Sequence, residues 1–171
     1  MVKNTMKLRY LVLGLLTEKS LTGYDIKIFL ESFSWLIGSP SYGSLYPTLH
    51  ALRHANLVTQ EVESARKIYS ITAAGRQELR EWTTQPLTPE TSLKTFLMHL
   101  ILASNYSHEA LTSHLYQRQS QIEAQLNILQ EMLQADQAVA ETPPEPLALE
   151  YGVFMAVQEL QWLANALAKL G

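Results

Sequence analysis

The chain has 171 residues, a formal net charge of −3 at neutral pH and no cysteine. This length fits one domain with an appendage or two small domains, and the lack of cysteine excludes a disulfide framework and a thiolate metal site. No apolar run approaches the roughly 18 residues that a membrane span requires, and the N-terminal residues lack the pattern of a secretory signal. A cytoplasmic location without membrane contact is therefore expected.

The charge is unevenly distributed along the chain. Residues 1–85 hold ten Lys and Arg against seven Asp and Glu, a net charge of +3, whereas residues 86–171 hold three against nine, a net charge of −6. DNA would repel the acidic half and attract the basic half. We therefore predict two domains that meet near Pro86 and Pro89, with any nucleic-acid contact in residues 1–85.

Two helices are predicted at the start of the chain. Thr22 followed by Asp25 three residues later has the spacing of a capping box, which predicts that a second helix begins there and runs to about Ser34. The first helix is indicated by apolar residues at the spacing of one helical face. These residues are Leu8, Leu11, Val12, Leu15 and Leu16.

A third helix is predicted from a leucine stripe at positions 45, 49 and 52. Pro47 is tolerated in its first turn if Ser44 is the N-cap. If Ser41 is the N-cap instead, Pro47 removes one helical hydrogen bond and should kink the helix. Asn56 tolerates the left-handed backbone conformation that ends many helices.

A β-hairpin and another helix follow this third helix. Residues 57–63 alternate in polarity as a strand does, residues 64–67 form a polar, basic turn, and residues 68–71 return as a second strand. Thr72 then caps a helix over residues 73–82. This order of elements predicts a winged helix-turn-helix, in which the helix before the hairpin is the recognition helix and the hairpin is the wing.

Four segments resemble the PadR family of bacterial transcriptional regulators. They are residues 13–16 (LGLL), 21–26 (LTGYDI), 44–49 (SLYPTL) and 69–75 (YSITAAG). The resemblance extends to about Trp82, and the rest of the chain is similar to the longer-tailed PadR subfamily, which includes phenolic-acid-responsive repressors. It implies a DNA-binding regulator in a family made mostly of repressors.

The predicted DNA contacts lie on the recognition helix and the wing. Hydroxyl groups at the helix start can donate to phosphates, side chains on its outer face can reach phosphates or base edges, and the two cations of the wing can hold the DNA backbone. The residues at the helix start are Ser41, Tyr42 and Ser44, those on the outer face are Tyr46, His50 and Arg53, and the cations of the wing are Arg66 and Lys67. Double-stranded DNA is the expected partner.

The second half is predicted to be entirely helical. One helix is expected over residues 92–105, a long one from a cap at Ser107 to about Ala138, and a last one over residues 147–170 after a break at Pro143, Pro144 and Pro146. The two longer helices carry apolar residues at heptad-like spacing. These are Leu111, Leu115, Ile122, Leu126, Leu129 and Leu133 in the long helix, and Leu160, Leu163 and Leu167 in the last.

Apolar faces of this extent favour a homodimer. The predicted fold class is mainly α: an N-terminal winged helix-turn-helix followed by an all-helical dimerisation region. The alternative is a three-helix bundle within one chain. A two-fold dimer would place two recognition helices about 34–36 Å apart on a palindromic operator.

A small aromatic or hydrophobic effector is the other candidate partner, bound between the halves or at the dimer interface. Phe96, Met98 and Trp162 are its candidate wall residues, with Trp35, Trp82 and Tyr106 as further aromatic candidates, because apolar pockets favour such side chains. The alternative is that these side chains belong to the core.

We predict no catalytic, metal or cofactor site. The chain has no phosphate-binding glycine loop and no nucleophile elbow. His50 and His54 have metal-ligand spacing, but no acidic residue lies between them and both lie on the predicted DNA face. A winged-helix protein-interaction adaptor that does not bind specific DNA is the alternative to a DNA-binding regulator.

Overall fold

A computed structural model describes residues 2–38, 40–88, 91–136 and 145–171. These residues form a mainly helical chain with one small antiparallel sheet, and they group into two compact units. The first unit comprises residues 2–38, 40–85 and 91–107, and the second comprises residues 86–88, 108–136 and 145–171. The prediction assigned residues 91–107 to the second half, whereas they pack with the first.

The first unit opens with helix α1, Val2–Leu15. Its predicted apolar face is confirmed, since Leu8, Leu11, Val12 and Leu16 are buried in the core of the unit. The helix begins before the apolar stripe, and Leu13 is also buried.

A short strand, β1 (Leu21–Thr22), leads into helix α2, Gly23–Ser32. The predicted capping box is present: the Asp25 N–H donates to the Thr22 hydroxyl oxygen at 3.1 Å, and the Thr22 N–H donates to the Asp25 carboxylate at 3.1 Å. The strand was not predicted, because two residues are too few to show an alternating pattern. Helix α2 ends at Ser32, and a separate turn of helix, α3, follows at Ser34–Ile37.

Helix α4, Tyr42–His54, is the predicted recognition helix. Ser41 is its N-cap, since the N–H groups of Ser44 and Leu45 both donate to the Ser41 carbonyl, at 3.0 and 2.9 Å. Pro47 therefore lies in the interior of the helix, where it cannot donate to the carbonyl one turn earlier. The alternative with Ser44 as the N-cap is wrong.

The end of α4 follows the prediction at Asn56, which has a φ of +58°. The Leu57 N–H donates to the Leu52 carbonyl and the Asn56 N–H to the Arg53 carbonyl, each at 3.0 Å. This pair of bonds satisfies two carbonyls at the helix end. The next strand begins at Val58, directly after this turn.

The wing consists of strands β2 (Val58–Glu63) and β3 (Arg66–Ile71), and the sheet order is β1-β3-β2. The predicted four-residue turn at 64–67 is too long. The turn has two residues, Ser64 and Ala65, both with positive φ, as in the two-residue hairpin loops whose twist matches the strands. Arg66 and Lys67 are consequently the first residues of β3, opposite Glu63 and Val62.

Helix α5, Ala73–Thr83, is capped by Thr72 as predicted, with the Gly75 N–H donating to the Thr72 hydroxyl oxygen at 3.0 Å. Gly75 must lack a side chain, because a Cβ there would lie 2.2 Å from the Leu57 carbonyl oxygen. The helix start is thus pressed against the turn that links α4 to β2, which fixes the recognition helix relative to the wing.

The helix predicted over residues 92–105 is shorter than expected. Helix α6 spans Leu93–Ile101 with Ser92 as its N-cap, and a 3₁₀ turn follows at Ala103–Asn105. The buried side chains of α6 and the turn complete the first unit, with Leu102 in its hydrophobic core. The Thr17 hydroxyl, which is hydrogen-bonded to Asn105 at 2.7 Å, links the 3₁₀ turn to the end of α1.

The second unit is a hairpin of two long helices, α7 (His108–Asp136) and α8 (Glu145–Leu170). They run antiparallel, since Arg118 bonds to Glu159 at 2.7 Å while Leu129 packs on Gly152. Pro146, predicted in the break before the last helix, lies in the first turn of α8, where proline is tolerated. Pro89, Ala138, Pro143 and Pro144 lie outside the described residues.

The hairpin buries the apolar residues of α7 and α8 against each other. Leu115, Ile122, Ala156 and Leu163 are its buried apolar residues. Residues 86–88 belong to this unit because the Gln121 amide donates to the Thr88 carbonyl at 2.7 Å and the Leu87 N–H donates to Gln117 at 2.8 Å. None of the described helices is both long enough and apolar enough to cross a membrane.

Candidate nucleic-acid interface

One side of α4 is buried and the other is open to solvent. Leu45, Leu49 and Leu52 are fully buried, which anchors the helix to the core of the first unit. All six residues predicted to contact DNA from this helix and its cap are exposed: Ser41, Tyr42, Ser44, Tyr46, His50 and Arg53. The structure therefore brings these side chains onto one accessible surface.

The two serines at the start of α4 contact each other. The Ser44 hydroxyl donates to the Ser41 carbonyl at 2.9 Å, and the Ser41 hydroxyl lies 3.4 Å from the Ser44 oxygen. The Ser41 side chain makes no capping bond to the helix. Its hydroxyl therefore lies beside the exposed first turn, where helix N–H groups favour an anion.

The two tyrosines of α4 are held by α2. Their rings stack with centroids 5.9 Å apart, and the Lys27 ammonium lies 5.3 Å from the centre of the Tyr42 ring. Lys27 is only 6% exposed and is ion-paired with Glu31. A buried cation over an aromatic face is stabilising, so Lys27 helps to fix Tyr42. The sequence analysis missed Lys27, since a single lysine in an amphipathic helix gives no signal.

The wing lies close to the end of α4. The Arg53 guanidinium donates to the side-chain oxygen of Gln60 on β2 at 3.3 Å, which turns this cation toward the wing. Arg66 and Lys67 are exposed at the tip-proximal end of β3. Their side chains form no hydrogen bond or salt bridge with any of the residues that the structure describes.

A groove of about 560 Å³ runs between the start of α2, the recognition helix and the wing. We call it the wing groove. Its lining includes Tyr24 and Gly23, which the sequence analysis did not single out as site residues although both lie in the LTGYDI segment. The groove is lined by Thr22, Gly23, Tyr24, Asp25, Tyr46, Ala65, Arg66, Lys67 and Tyr69.

Asp25 contributes a negative charge to the wing groove. Hydrogen bonds from the Thr22 hydroxyl and the Thr22 N–H lower the pKa of this carboxyl, and the charges of Lys19 and Arg66 lower it further. Tyr69 is buried on the floor of the groove, and burial raises the pKa of its phenol. The groove therefore combines two cations, one carboxylate and three tyrosine side chains.

His50 and His54 approach each other on the exposed side of α4, with ring centroids 4.5 Å apart. No group of three or more His, Cys, Asp or Glu side chains suited to a metal ion occurs within residues 2–38, 40–88, 91–136 and 145–171. The pair alone therefore offers at most two ligands, fewer than the three that catalytic zinc sites have from protein.

The residues predicted to form the dimer interface face the partner helix of the same hairpin. Leu115, Ile122 and Leu163 are buried inside it. The remaining six are half-buried: Leu111, Leu126, Leu129, Leu133, Leu160 and Leu167. Much of the seam that predicted a second chain is thus covered by α8, as in the intramolecular alternative.

A different apolar surface lies on the outer side of α8. Its residues recur at spacings of three, four or seven, and all are exposed. We call it the α8 stripe, and it comprises Leu147, Tyr151, Phe154, Met155 and Trp162. A contiguous apolar surface of this kind marks an interaction site more often than a solvated face.

The predicted effector residues have different environments. Phe96 and Met98 are buried in the first unit, as the core alternative expected, whereas Trp162 lies on the α8 stripe of the second. Trp82 is stacked between Tyr10 and His99, with centroid distances of 4.5 and 4.3 Å.

The other two aromatic candidates also differ from each other. The Tyr106 hydroxyl is hydrogen-bonded to Nδ1 of His99, and burial raises the pKa of this phenol. Trp35 is 79% exposed. Of the six candidates, Trp35 and Trp162 are therefore the ones with an exposed ring.

Two family models match separate parts of this chain. Residues 12–81 match the Transcriptional regulator PadR-like family, and residues 94–171 match the Virulence activator alpha C-term family. The negative transcriptional regulator PadR of Bacillus subtilis is 26% identical over 95% of this chain and 97% of its own length.

Solved structures of that protein are also similar to this chain. Bacillus subtilis PadR in complex with operator DNA is 26% identical, with coverage of 95% of this chain and 97% of the other and a TM-score of 0.44. The same protein in complex with p-coumaric acid is 26% identical, with coverage of 97% and 96% and a TM-score of 0.46.

Proposed function

The chain belongs to the PadR-like family of transcriptional regulators, and we propose that it is a homodimeric repressor that binds a palindromic operator. In this proposal α4 enters the major groove and the wing contacts the DNA backbone. The family consists of transcriptional regulators rather than enzymes, in agreement with the prediction of no catalytic site.

The observation that carries the DNA-binding proposal is the surface formed by α4 and β3. Hydroxyl, imidazole and guanidinium groups lie exposed on the helix, and Arg66 and Lys67 lie beside them on the wing. Residues 1–85 carry a net charge of +3 while residues 86–171 carry −6, so phosphates are attracted to this surface and repelled by the second half.

The proposed dimer interface is the α8 stripe. A net charge of +3 is small for one DNA-binding module, so two modules on adjacent turns of the double helix would give useful affinity. The leucines of the predicted seam stabilise each hairpin, and the stripe supplies the surface for the second copy. Two-fold symmetry requires the same stripe on both partners.

Repression is proposed because the Bacillus subtilis relative is a negative transcriptional regulator. Since that protein has been solved with p-coumaric acid, a small aromatic acid is the effector class to test first. Release by such a ligand requires that it bind the free form more tightly than the DNA-bound form. Trp162 and Trp35 are exposed and could report binding through their fluorescence.

The test is fluorescence anisotropy with the DNA upstream of the gene, at about 50 and 200 mM salt, with the mass in solution measured in parallel. Tight, salt-sensitive binding by a dimer is the expected result. Addition of p-coumaric acid should then lower the affinity.

A dimer that does not bind this DNA at low salt would contradict the expectation that the protein regulates its own gene. Selection of bound fragments from the whole genome would then separate a regulator of distant genes from the protein-interaction adaptor, which would enrich none. Arg53 is the only Lys or Arg within α4, and this scarcity of long basic side chains is what favours the adaptor as the second candidate.

A further inference from the structure

Several hydrogen-bond donors that line the wing groove have no acceptor among the described residues, and three of them are exposed on the recognition helix and the wing. Within the part of the chain that the structure describes, the Tyr46 hydroxyl, the Arg66 guanidinium and the Lys67 ammonium form no hydrogen bond and no salt bridge. All three line the same groove. Donors that line one open groove and have no hydrogen-bond acceptor within the described part of the protein are available to an external anion.

The position of Tyr46 depends on the absence of a side chain at Gly23. A Cβ at Gly23 would lie 3.0 Å from Cε1, 3.2 Å from the hydroxyl oxygen and 3.3 Å from Cζ of Tyr46. The tyrosine ring therefore lies directly on the first residue of α2. Gly23 has an ordinary backbone conformation, since it is not among the residues with positive φ, so conformational freedom does not explain the glycine.

We propose that the wing groove seats one phosphodiester group of the operator backbone, and that Gly23 is the positioning residue that keeps the Tyr46 hydroxyl in that seat. Tyr46, Arg66 and Lys67 donate to the phosphate oxygens. The proposal deepens the proposed function and rests on it, because the phosphodiester belongs to the bound DNA.

The charges in the groove decide where the phosphate lies. Asp25 keeps its negative charge because the Thr22 hydroxyl and N–H bond to its carboxylate, so an anion is repelled from that end. Arg66 and Lys67 lie at the wing end. The phosphate therefore binds between the wing and Tyr46, and the groove retains a net charge of +1 from two cations and one carboxylate.

Removal of single donors should produce two distinct signatures. Tyr46→Phe should weaken operator binding about tenfold, the size expected for a hydrogen bond to a charged group, without changing the dependence on salt, because no counterion is released by a neutral hydroxyl. Lys67→Ala should weaken binding and also reduce the slope of log K against log salt by about 0.9 per module.

The role of Gly23 is tested by a double-mutant cycle. Gly23→Ala displaces the ring by a few tenths of an ångström and should weaken binding slightly, whereas Gly23→Val should weaken it about tenfold, the same as loss of the hydroxyl. In a Tyr46→Ala background, neither substitution at Gly23 should have any further effect. Thermal unfolding of each variant separates a folding defect from a binding defect, and Gly23→Ala remains informative if Gly23→Val does not fold.

The outcomes distinguish the two levels of the proposal. Additive effects of Gly23→Ala and Tyr46→Ala would overturn the positioning role while leaving DNA binding intact. Saturable binding of inorganic phosphate to the wild-type protein alone, abolished by Lys67→Ala while operator affinity is unchanged, would assign the groove to a free phosphate instead of DNA. Failure of the wild-type protein to bind any DNA would overturn the proposed function, and this proposal with it.

Discussion

Replacement of Phe154 by Glu should convert the dimer into a monomer. The Phe154 side chain is 57% exposed on the α8 stripe, and an aromatic side chain of roughly 200 Å² would therefore lose about 110 Å² of exposed area on dimerisation. At about 25 cal/mol per Å² this burial contributes roughly 3 kcal/mol. A two-fold interface contains the ring twice, which gives about 6 kcal/mol, or roughly four orders of magnitude in the dissociation constant.

Association costs reduce the fraction of this energy that is realised, so the dissociation constant of the dimer should rise at least about a hundredfold. Sedimentation velocity over a range of concentrations measures the change, and operator anisotropy should show a parallel loss of affinity. Ala124→Glu is the control, since this exposed residue of α7 lies outside the α8 stripe and the substitution adds the same charge. A dimer that survives Phe154→Glu with unchanged dissociation would refute the assignment of the stripe to the interface.

Three further predictions concern the wing, the helical hairpin of α7 and α8, and the start of α2. Lys67→Ala should lower the salt dependence of operator binding by about 0.9 per module in a log–log plot, whereas Lys169→Ala, which removes the same charge from α8, should leave that slope unchanged. Glu159→Ala should lower the free energy of unfolding by about 3–5 kcal/mol, because it leaves the Arg118 guanidinium, whose side chain is 7% exposed, without its carboxylate partner. In a urea titration, the double variant Arg118→Met/Glu159→Leu should recover most of the loss. Asp25→Asn should destabilise the protein at pH values above the ordinary pKa of an aspartate carboxyl, because the lowered folded-state pKa contributes stability there. In urea titrations over a pH series, the difference from wild type should shrink as the pH falls below that range.

Local signals in the sequence were sufficient to predict most helix boundaries in the first unit. Thr22, Thr72 and Ser92 are N-caps because a side-chain oxygen can satisfy an N–H group at the start of a helix, and this requirement depends on a few neighbouring residues alone. Asn56 ends α4 for a similarly local reason. The winged helix-turn-helix could therefore be predicted from the order of these signals.

The features that were missed depend on contacts between distant residues. Strand β1 exists because Leu21 and Thr22 pair with Tyr69 and Ile68 on β3, and no pattern within two residues can indicate this. The hairpin turn was predicted too long because Ser64 and Ala65 are not typical of positive φ. The register of β2 and β3 as a whole, from Val58 opposite Ile71 to Glu63 opposite Arg66, leaves only these two residues for the turn.

The candidate DNA contacts could be named from the sequence because they are the outer residues of a helix whose inner stripe was evident. The residues that hold them could not. Lys27 and Gly23 act on Tyr42 and Tyr46 across two helices, and neither distance is encoded in a local spacing. A lysine and a glycine in α2 therefore look ordinary until the two helices are seen together.

The proposed dimer interface could not be identified from the sequence either. Heptad spacing predicts that Leu115 and Ile122 face another helix, but it does not say which one. In the structure α8 of the same chain covers them, and the proposed interface therefore uses a surface that remains open. The α8 stripe meets a further requirement: each second half carries a net charge of −6, and two such halves repel each other unless their contact is free of charge. Glu159, the acidic residue of α8 between Tyr151 and Trp162, is directed to Arg118 inside the hairpin. The outer side between those two aromatic residues is consequently uncharged, so a second acidic half can approach it without charge repulsion at the contact.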